Sequence, residues 1–411
     1  MSDVLVLGAG AAGLLAAIRA AERGRRVILL ERNKKPGVKI LMSGGTRCNV
    51  THDGQADEVA RAFGKRAERF LRPSMKAFGP QHAMNFFEQR GVKLKTEPPH
   101  GKVFPRSDRA TDVLAALVDD ARARGVELRT EARVLEVVKE DGAFRVRFEG
   151  GEARADRIVI AVGGQSYPKA GFTGDGYSFA RSLGHTVVTP RPALVPLVLG
   201  KPLEGCSGVT LTDVRVGLAI AKGKILATKR GELLFTHRGL SGPTALDLSG
   251  ELTARTAGVL RDTTGPFEVA LDLLPDVKHE DLQAELAEKS RRTAAGVLHD
   301  RGVPRSLIKA LLKLAKVPED RTLQDLRRDE RIALVPSLKD LRLPVTGTTG
   351  FDRAEVTAGG VALEEIEPAT LESRVVRGVH FIGEVLDVDG PVGGYNFQAA
   401  WSTGWAAGSS V

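Results

Sequence analysis

Cysteine is scarce. Only Cys48 and Cys206 occur in 411 residues, far apart, so neither a disulfide framework nor a cysteine-based zinc site is supported. Histidine offers no metal site either, because His100, His237 and His380 share no ligand spacing. No transmembrane span is present. The apolar run 4–18 has no basic stretch before it and holds Gly8, Gly10 and Gly13, so it reads as strand and helix rather than as a leader. No block of like charges forms a tail, and no glycine period or internal repeat appears. Ser241, in Gly-Leu-Ser-Gly-Pro, lacks the nucleophile-elbow pattern, and no Ser/His/Asp constellation is visible. These absences leave a chain expected to be soluble and cytoplasmic, without metal, membrane or stable protein partner.

What is present is a chain able to bury a core. Apolar residues make up 42% and charged residues 27%, and the length exceeds one typical domain. Glycine is abundant at 46 residues while aromatics are only 5%, which suits backbone brought close to a ligand. The net charge of +9 favours anionic partners such as RNA, nucleotides or acidic metabolites, with a merely solvated basic surface as the alternative.

Along the chain, residues 3–8 and 26–31 read as strands around a helix over 11–23, a βαβ unit of about 30 residues. Helices are expected over 57–71, 80–90, 108–124 and 174–184. Strands are expected over 126–130 and 157–162, with a hairpin of 132–138 and 143–149 turning at Asp141-Gly142. After Pro190 short alternating strands take over, among them Leu211 to Val216, Val216 to Ala221, Glu232 to Phe235 and Phe267 to Leu271. Residues 276–332 are helical and charge-rich; 305–316 carries an apolar stripe with Lys309, Lys313 and Lys316 opposite. A last strand at 380–383 precedes a glycine-rich loop and a helix from 394 to 407, so the middle reads as an insertion into one α/β domain.

The motif with the most chemistry is Gly8-Ala9-Gly10-Ala11-Ala12-Gly13, directly after a strand and opening a helix. Gly8 permits the turn, Gly10 lets a pyrophosphate approach, and Gly13 lets helix and strand pack closely. Free N–H groups at the helix start suit a diphosphate. Glu31 ends the second strand, where its carboxylate can accept both hydroxyls of a ribose; a 2′-phosphate would be repelled there, which disfavours NADP. FAD and NAD both remain at this point. Three further glycine signals favour the longer FAD: Ala161-Val162-Gly163-Gly164, Gly383-Glu384-Val385-Leu386-Asp387 and Gly393-Gly394-Tyr395-Asn396.

The run Lys39-Ile40-Leu41-Met42-Ser43-Gly44-Gly45-Thr46-Arg47-Cys48-Asn49-Val50-Thr51 resembles a signature of the BaiN/RdsA-like family of bacterial FAD-dependent oxidoreductases. The resemblance spans nearly the whole chain. It continues through His100-Gly101-Lys102-Val103-Phe104-Pro105, Gly163-Gly164-Gln165-Ser166-Tyr167-Pro168 and Thr173-Gly174-Asp175-Gly176-Tyr177. Further on it takes in Leu234-Phe235-Thr236-His237-Arg238-Gly239-Leu240-Ser241-Gly242-Pro243 and Val356-Thr357-Ala358-Gly359-Gly360-Val361, closing with residues 383–390 and 393–398. One departure is Thr46, where the pattern has a third glycine. The resemblance implies an α/β fold, a Rossmann-like FAD-binding domain with an inserted β-rich domain and a helical domain. The expected boundaries are 1–190 with 345–411 for the FAD-binding domain, 191–275 with 333–344 for the β-rich domain, and 276–332 for the helical domain.

It also implies contacts to FAD at Gly8, Gly10, Ala11, Ala12, Gly13, Glu31, Arg32, Lys39, Ser43, Gly44, Arg47 and Asn49. Later contacts would come from Val134, Ala161, Gly163, Gly383, Glu384, Asp387, Gly394, Tyr395 and Asn396. Residues 39–51 should form a loop along the cofactor. Arg47 would pair with the diphosphate or an anionic substrate, or else form a structural ion pair. Cys48 and Tyr395 are the candidate catalytic residues, each with packing as the competing reading. Asn49 would hydrogen-bond the flavin or stabilise a turn, and Asp387 would meet the ribitol. The N–H groups of Gly394, Tyr395 and Asn396 would stabilise negative charge on reduced flavin. His237 with Arg238 would face the pocket or bind phosphate, or lie on the surface. Lys309, Lys313, Lys316, Arg291, Arg292 and Arg305 would track an RNA backbone or form a solvated face.

Family members differ in activity, so several functions stay open. In the first, NAD(P)H would reduce FAD, which would pass hydride to a uracil of large-subunit ribosomal RNA while an acid protonates the neighbouring carbon. In the second, a small amine of the aminoacetone kind would be oxidised in an enclosed pocket and dioxygen would return as hydrogen peroxide. In the third, a flavin-bearing binding protein would turn nothing over. No second framed GxGxxG is present, so a nicotinamide donor would dock transiently. The first function is the expected one.

Overall fold

A computed structural model describes residues 2–220, 223–256 and 267–411. Ala221, the end of an expected strand, and residues 257–266 of the expected β-rich domain lie outside the described residues. The chain divides into two compact units, Met1–Arg191 with Val356–Val411 and Pro192–Glu355.

The first unit begins with β1 (Ser2–Leu7), α1 (Ala11–Glu22) and β2 (Val27–Leu30). Next come α2 (Val38–Thr46), β3 (Thr51–His52), α3 (Ala56–Arg61), α4 (Gly64–Ala77) and α5 (Pro80–Glu88). The expected helix over 57–71 is therefore two helices. The chain turns at Phe63, and Gly64 adopts a left-handed φ of 80° that a continuous helix does not contain. A ribbon of β4 (Leu94–Glu97) and β5 (Lys102–Pro105) pairs with β3. Then come α6 (Ala110–Ala123), β6 (Glu127–Arg129), β7 (Val134–Glu140), β8 (Ala143–Phe148), β9 (Gly151–Ile160), α7 (Asp175–Ser182) and β10 (Val187–Ala193).

The second unit is a closed barrel with helices. Its strands are β11 (Leu197–Leu199), β12 (Thr210–Ile220), β13 (Ile225–Phe235), β14 (Gly239–Ser241), β15 (Phe267–Asp272) and β16 (Leu341–Thr348). Between β14 and β15 lies α8 (Pro243–Thr256), a helix the sequence reading missed. After β15 come α9 (His279–Glu285), α10 (Ala294–Asp300), α11 (Arg305–Ala315) and α12 (Arg328–Lys339). Leu307 and Leu311 of α11 share one core with Val216 and Leu218 of the barrel, so the helices bury their apolar stripes on it rather than on a core of their own.

The chain returns to the first unit with β17 (Val356–Val361), β18 (Val379–Phe381) and α13 (Tyr395–Ser410). Its sheet runs β6-β2-β1-β9-β8-β7, with β18 also on β9. The long β9 serves two partners. Its first half pairs antiparallel with β8, and Ile158–Ile160 pair parallel with β18 on one side and β1 on the other. The strands β1, β2, β9 and β18 thus end together at one edge, where doubly wound sheets hold ligands. Behind it α1 packs on α13 at backbone distance: a Cβ at Gly404 would lie 2.5 Å from the Ala12 carbonyl oxygen, and one at Gly408 equally close to that of Ala16.

His380 lies in the middle of β18, fully buried, and neither ring nitrogen has a hydrogen-bond partner. Burial pushes its pKa down from 6.5 to about 4, with Glu372 opposing and Arg157 reinforcing. The unfolded chain takes up a proton that the folded one refuses. The stabilisation is therefore complete above pH 6.5 and is lost as pH falls toward 4, by about 3 kcal/mol in all. Thermal melts of the wild type and His380→Leu across that range should diverge, the wild type losing stability faster. Parallel curves would disprove this role for His380.

Candidate functional site

The turn after β1 is built by steric exclusion. Gly8 has a φ of 101°, and a Cβ on Gly13 would sit 1.9 Å from the Gly8 carbonyl oxygen. Any side chain at residue 13 would push α1 away from β1. Gly10 caps α1 without a side-chain hydrogen bond, and nothing lies within 4 Å of where its Cβ would be. The chain is thus open beside Gly10, and the first-turn N–H groups have no side-chain cap, with the positive end of the helix dipole behind them. Glu31, only 7% exposed, locks the turn to the end of β2. Its Oε2 accepts from the Ala9 N–H at 2.9 Å and its Oε1 from the Asn33 N–H at 2.8 Å. Burial raises the Glu31 pKa and the two N–H donors oppose it. Each oxygen retains a lone pair for a sugar hydroxyl.

Beyond Glu31 opens a cleft of about 590 Å³ lined by Arg32, Asn33, Val38, Arg133, Lys169 and Gly171, among others. Arg32 crosses to the Gly171 carbonyl at 2.6 Å, the Thr173 hydroxyl at 2.7 Å and Asp175 at 3.3 Å. Val134 is buried at the start of β7, paired with Phe148. Glu31 thus links the open turn, through the Ala9 N–H, to Asn33 in the wall of this cleft.

Residues 38–46 are a helix rather than the expected loop, kinked where Ser43, Gly44 and Gly45 leave helical geometry. The Ser43 carbonyl accepts the Cys48 N–H at 3.1 Å, turning the chain back. Thr46 adopts a left-handed φ of 69°, a conformation that glycine takes without cost, so the expected third glycine is replaced at a position of local strain. Cys48 is fully buried, and burial pushes its thiol up to about 12. A neutral packed thiol is not a nucleophile at physiological pH, so its surroundings favour the packing role. Arg47 lies over the Phe104 ring and pairs with Glu97 at 2.7 Å and Asp108 at 3.4 Å, so the ribbon of β4 and β5 engages its guanidinium. Asn49 differs: its Oδ1 is buried without a hydrogen-bond partner. A Cβ on Gly394 would lie 2.9 Å from that oxygen and 2.3 Å from the Thr51 carbonyl oxygen. This acceptor beside the bare start of α13 fits a ligand that brings a donor.

A second cluster ties four segments together. Lys39 Nζ donates to Ser166 Oγ at 2.7 Å and pairs with Glu384. Glu384 Oε1 accepts from Ser166 Oγ at 3.1 Å and from the Thr357 N–H at 2.8 Å. Gly163, Gly383 and Ala161 line the ends of β9 and β18; a Cβ on Gly383 would lie 3.0 Å from the Ala12 Cβ. Asp387 pairs with Arg66 of α4, which also holds Glu364 at 2.8 Å. Asp389 sits in the same loop. Burial pushes its pKa up to about 6, Arg191 pulls it back, and Asp387 and Glu384 push it further. Tyr395 stacks on His52 at 4.4 Å between ring centres, and His52 Nδ1 lies 3.2 Å from the Gly393 carbonyl oxygen. Asn396 clamps its own approach loop, accepting from Gly390 N–H at 2.8 Å and donating to the Gly390 carbonyl at 2.9 Å.

In the second unit His237 and Arg238 are exposed on the turn between β13 and β14. Of the expected basic cluster, Lys309 pairs with Glu319, Lys313 with Glu204 and Arg292 with Asp300, which neutralises much of it. Sequence reasoning missed Arg66 and His52, which lie outside every glycine signal. It did not assign a role to Ser166 or Thr357, although both stand inside the motifs quoted above.

Residues 2–410 match the family described as HI0933-like protein Rossmann domain. A ribosomal RNA dihydrouridine synthase of Escherichia coli is 35% identical, the match covering 100% of this chain and 98% of that protein. A 3-dehydro-bile acid delta(4,6)-reductase of Clostridium scindens is 33% identical over 100% of this chain and 99% of its own. Among solved structures, a 3-ketosteroid-delta4-(5alpha)-dehydrogenase of Rhodococcus jostii matches with a TM-score of 0.51 at 18% identity, covering 100% of this chain and 96% of that one. That last likeness concerns the fold.

Two substitutions separate the cofactor contacts from the packing. Glu31→Ala removes the acceptor of two backbone N–H groups and the carboxylate expected to meet the sugar, and should weaken FAD binding about thirtyfold, or about 2 kcal/mol, by fluorescence titration. Unchanged affinity would remove Glu31 from the site. Cys48→Ala should retain the rate of flavin reduction within about twofold while lowering the melting temperature. A rate loss of a hundredfold would restore Cys48 as a catalytic residue.

Proposed function

We propose, from the premise that this chain belongs to the HI0933-like Rossmann-domain family, that it is an NAD(P)H-driven reductase acting on uridine in large-subunit ribosomal RNA. That it is an FAD-dependent oxidoreductase is the settled part. When bound, FAD supplies the hydride transfer. The residues present fit it: an open, uncapped turn at Gly10, a buried Glu31 with lone pairs to spare, and a buried Asn49 oxygen awaiting a donor.

The chain itself binds and orients. Gly8 to Gly13 and Glu31 would hold the adenosine diphosphate. Lys39, Ser166 and Glu384 fix the loops after β9 and β18 against α2. Asp387, oriented by Arg66, would meet the ribitol, and the bare start of α13 would stabilise negative charge on the ring. Reduction of a double bond also needs a proton. Asp389 would be the group of this loop best placed to carry it, because burial raises its carboxyl to about 6, closer to neutrality than an ordinary carboxylate.

The observation that carries the uridine reading is the 35% identity to the dihydrouridine synthase over both whole chains. A second reading, reduction of a small unsaturated substrate, is favoured by the 33% identity to the bile acid reductase. Anaerobic flavin bleaching by NADH or NADPH, followed by reoxidation with protein-free large-subunit ribosomal RNA, tests the proposal. Bleaching by a nicotinamide and recovery of colour with dihydrouridine formed in the RNA are expected. Bleaching by an amine alone, with peroxide on admitting air, would replace the reductase with an oxidase. Recovery with a small enone and not with RNA would support the second reading.

A further inference from the structure

The helix α4 carries a basic stripe that the cofactor site does not use. Lys65, Arg69, Arg72 and Lys76 fall on one helical face, and all four are exposed. At 1.5 Å per residue the stripe runs about 16 Å, a length over which a nucleic-acid duplex presents roughly ten phosphates. Arg72 is partly matched, by Asp57 at 3.1 Å and Glu68 at 3.8 Å. Lys65, Arg69 and Lys76 have no ion pair among the described residues. This contrasts with α11 of the second unit, where Lys309 and Lys313 face carboxylates.

The opposite face of α4 is committed to the core. Ala67, Phe70, Leu71 and Met75 are buried there. The helix therefore has no apolar face to offer a bilayer, and what it presents outward is charge alone. Its first turn touches the cofactor loops directly. Arg66 pairs with Asp387, and Phe63, which caps the helix, lies edge-on to Tyr395 at 6.4 Å between ring centres. The helix that carries the stripe is thus tied at its first turn, one residue beyond Lys65, to the loop that holds Asp387.

We infer that Lys65, Arg69 and Lys76 of α4 form a docking surface for the phosphate backbone of the RNA substrate. The inference rests on the ribosomal RNA reading above and adds the surface that reading lacked. Backbone contacts of this kind position the nucleic acid without reading its sequence; uridine choice belongs to the flavin pocket.

The test uses the FAD-loaded protein, protein-free large-subunit ribosomal RNA and the triple variant Lys65→Ala, Arg69→Ala, Lys76→Ala. Lys309→Ala, Lys313→Ala, Lys316→Ala serves as a control with the same loss of charge. The α4 variant should bind RNA at least tenfold more weakly at low salt, and its slope of log affinity against log salt should flatten by about 2 to 3. Its FAD content and its anaerobic bleaching should match the wild type, and the control should bind RNA as the wild type does. Equal RNA affinity in wild type and α4 variant, or equal losses in both variants, would overturn the surface while leaving the RNA reading intact. A wild type that binds no RNA and forms no dihydrouridine would overturn both. Vesicles of phosphatidylglycerol that bind the wild type and not the α4 variant, with RNA affinity unchanged, would reassign the stripe to a membrane.

Discussion

The first unit depends on three backbones lying closer together than side chains allow. The carbonyl of Gly8 occupies the place a residue-13 Cβ would need, and the carbonyls of Ala12 and Ala16 stand where residues 404 and 408 would put theirs. Missing side chains thus bring β1, α1 and α13 into direct contact. Two consequences follow from the same constraint. The start of α1 is aimed at the edge where β1, β2, β9 and β18 end, and α13 is aimed at it from the far end of the sequence. Two helix N-termini without side-chain caps then converge on one edge, each with the positive end of its dipole toward it.

Electrostatics around that edge is arranged in pairs. Lys39 with Glu384 and Arg66 with Asp387 each join segments far apart in sequence, and each pair is only partly exposed. Ion pairs of this kind contribute little net stability, because desolvation offsets attraction. Their effect is geometric. Glu384 is fixed by three donors from three different segments, so the loop after β18 has one position relative to α2 and to the loop after β9. A ligand meeting this loop finds its groups already oriented, which lowers the cost of binding.

Much of the edge was legible in the sequence because glycine spacing reports close approach directly. The strand-turn-helix around Gly8 to Gly13, Glu31 at the end of β2 and the late glycine loop before α13 were all readable in that way. What could not be read was local geometry that opposes its own composition. Ser43-Gly44-Gly45 reads as loop, yet it is a kink at the end of a helix whose first residues are good helix formers. The helix α8 was hidden because Gly242-Pro243 reads as a turn, although proline at a helix start is favourable. Arg66 was invisible for another reason: its partners Glu364 and Asp387 are about 300 residues away, and no local pattern signals such a pair.

The three carboxylates of the late loop show how one short segment can hold groups of different character. Glu384 and Asp387 each have a cation in direct contact. Asp389 has the Arg191 charge nearby, but burial outweighs it, and the two neighbouring carboxylates add repulsion that raises its pKa to about 6. The ion pairs at Glu384 and Asp387 therefore do more than fix the loop. By holding two neighbouring carboxyl groups in place, they reinforce the burial that makes Asp389 the group of this loop on which a proton is best retained. Position and burial can thus give acids of one short segment different characters without any change of residue type.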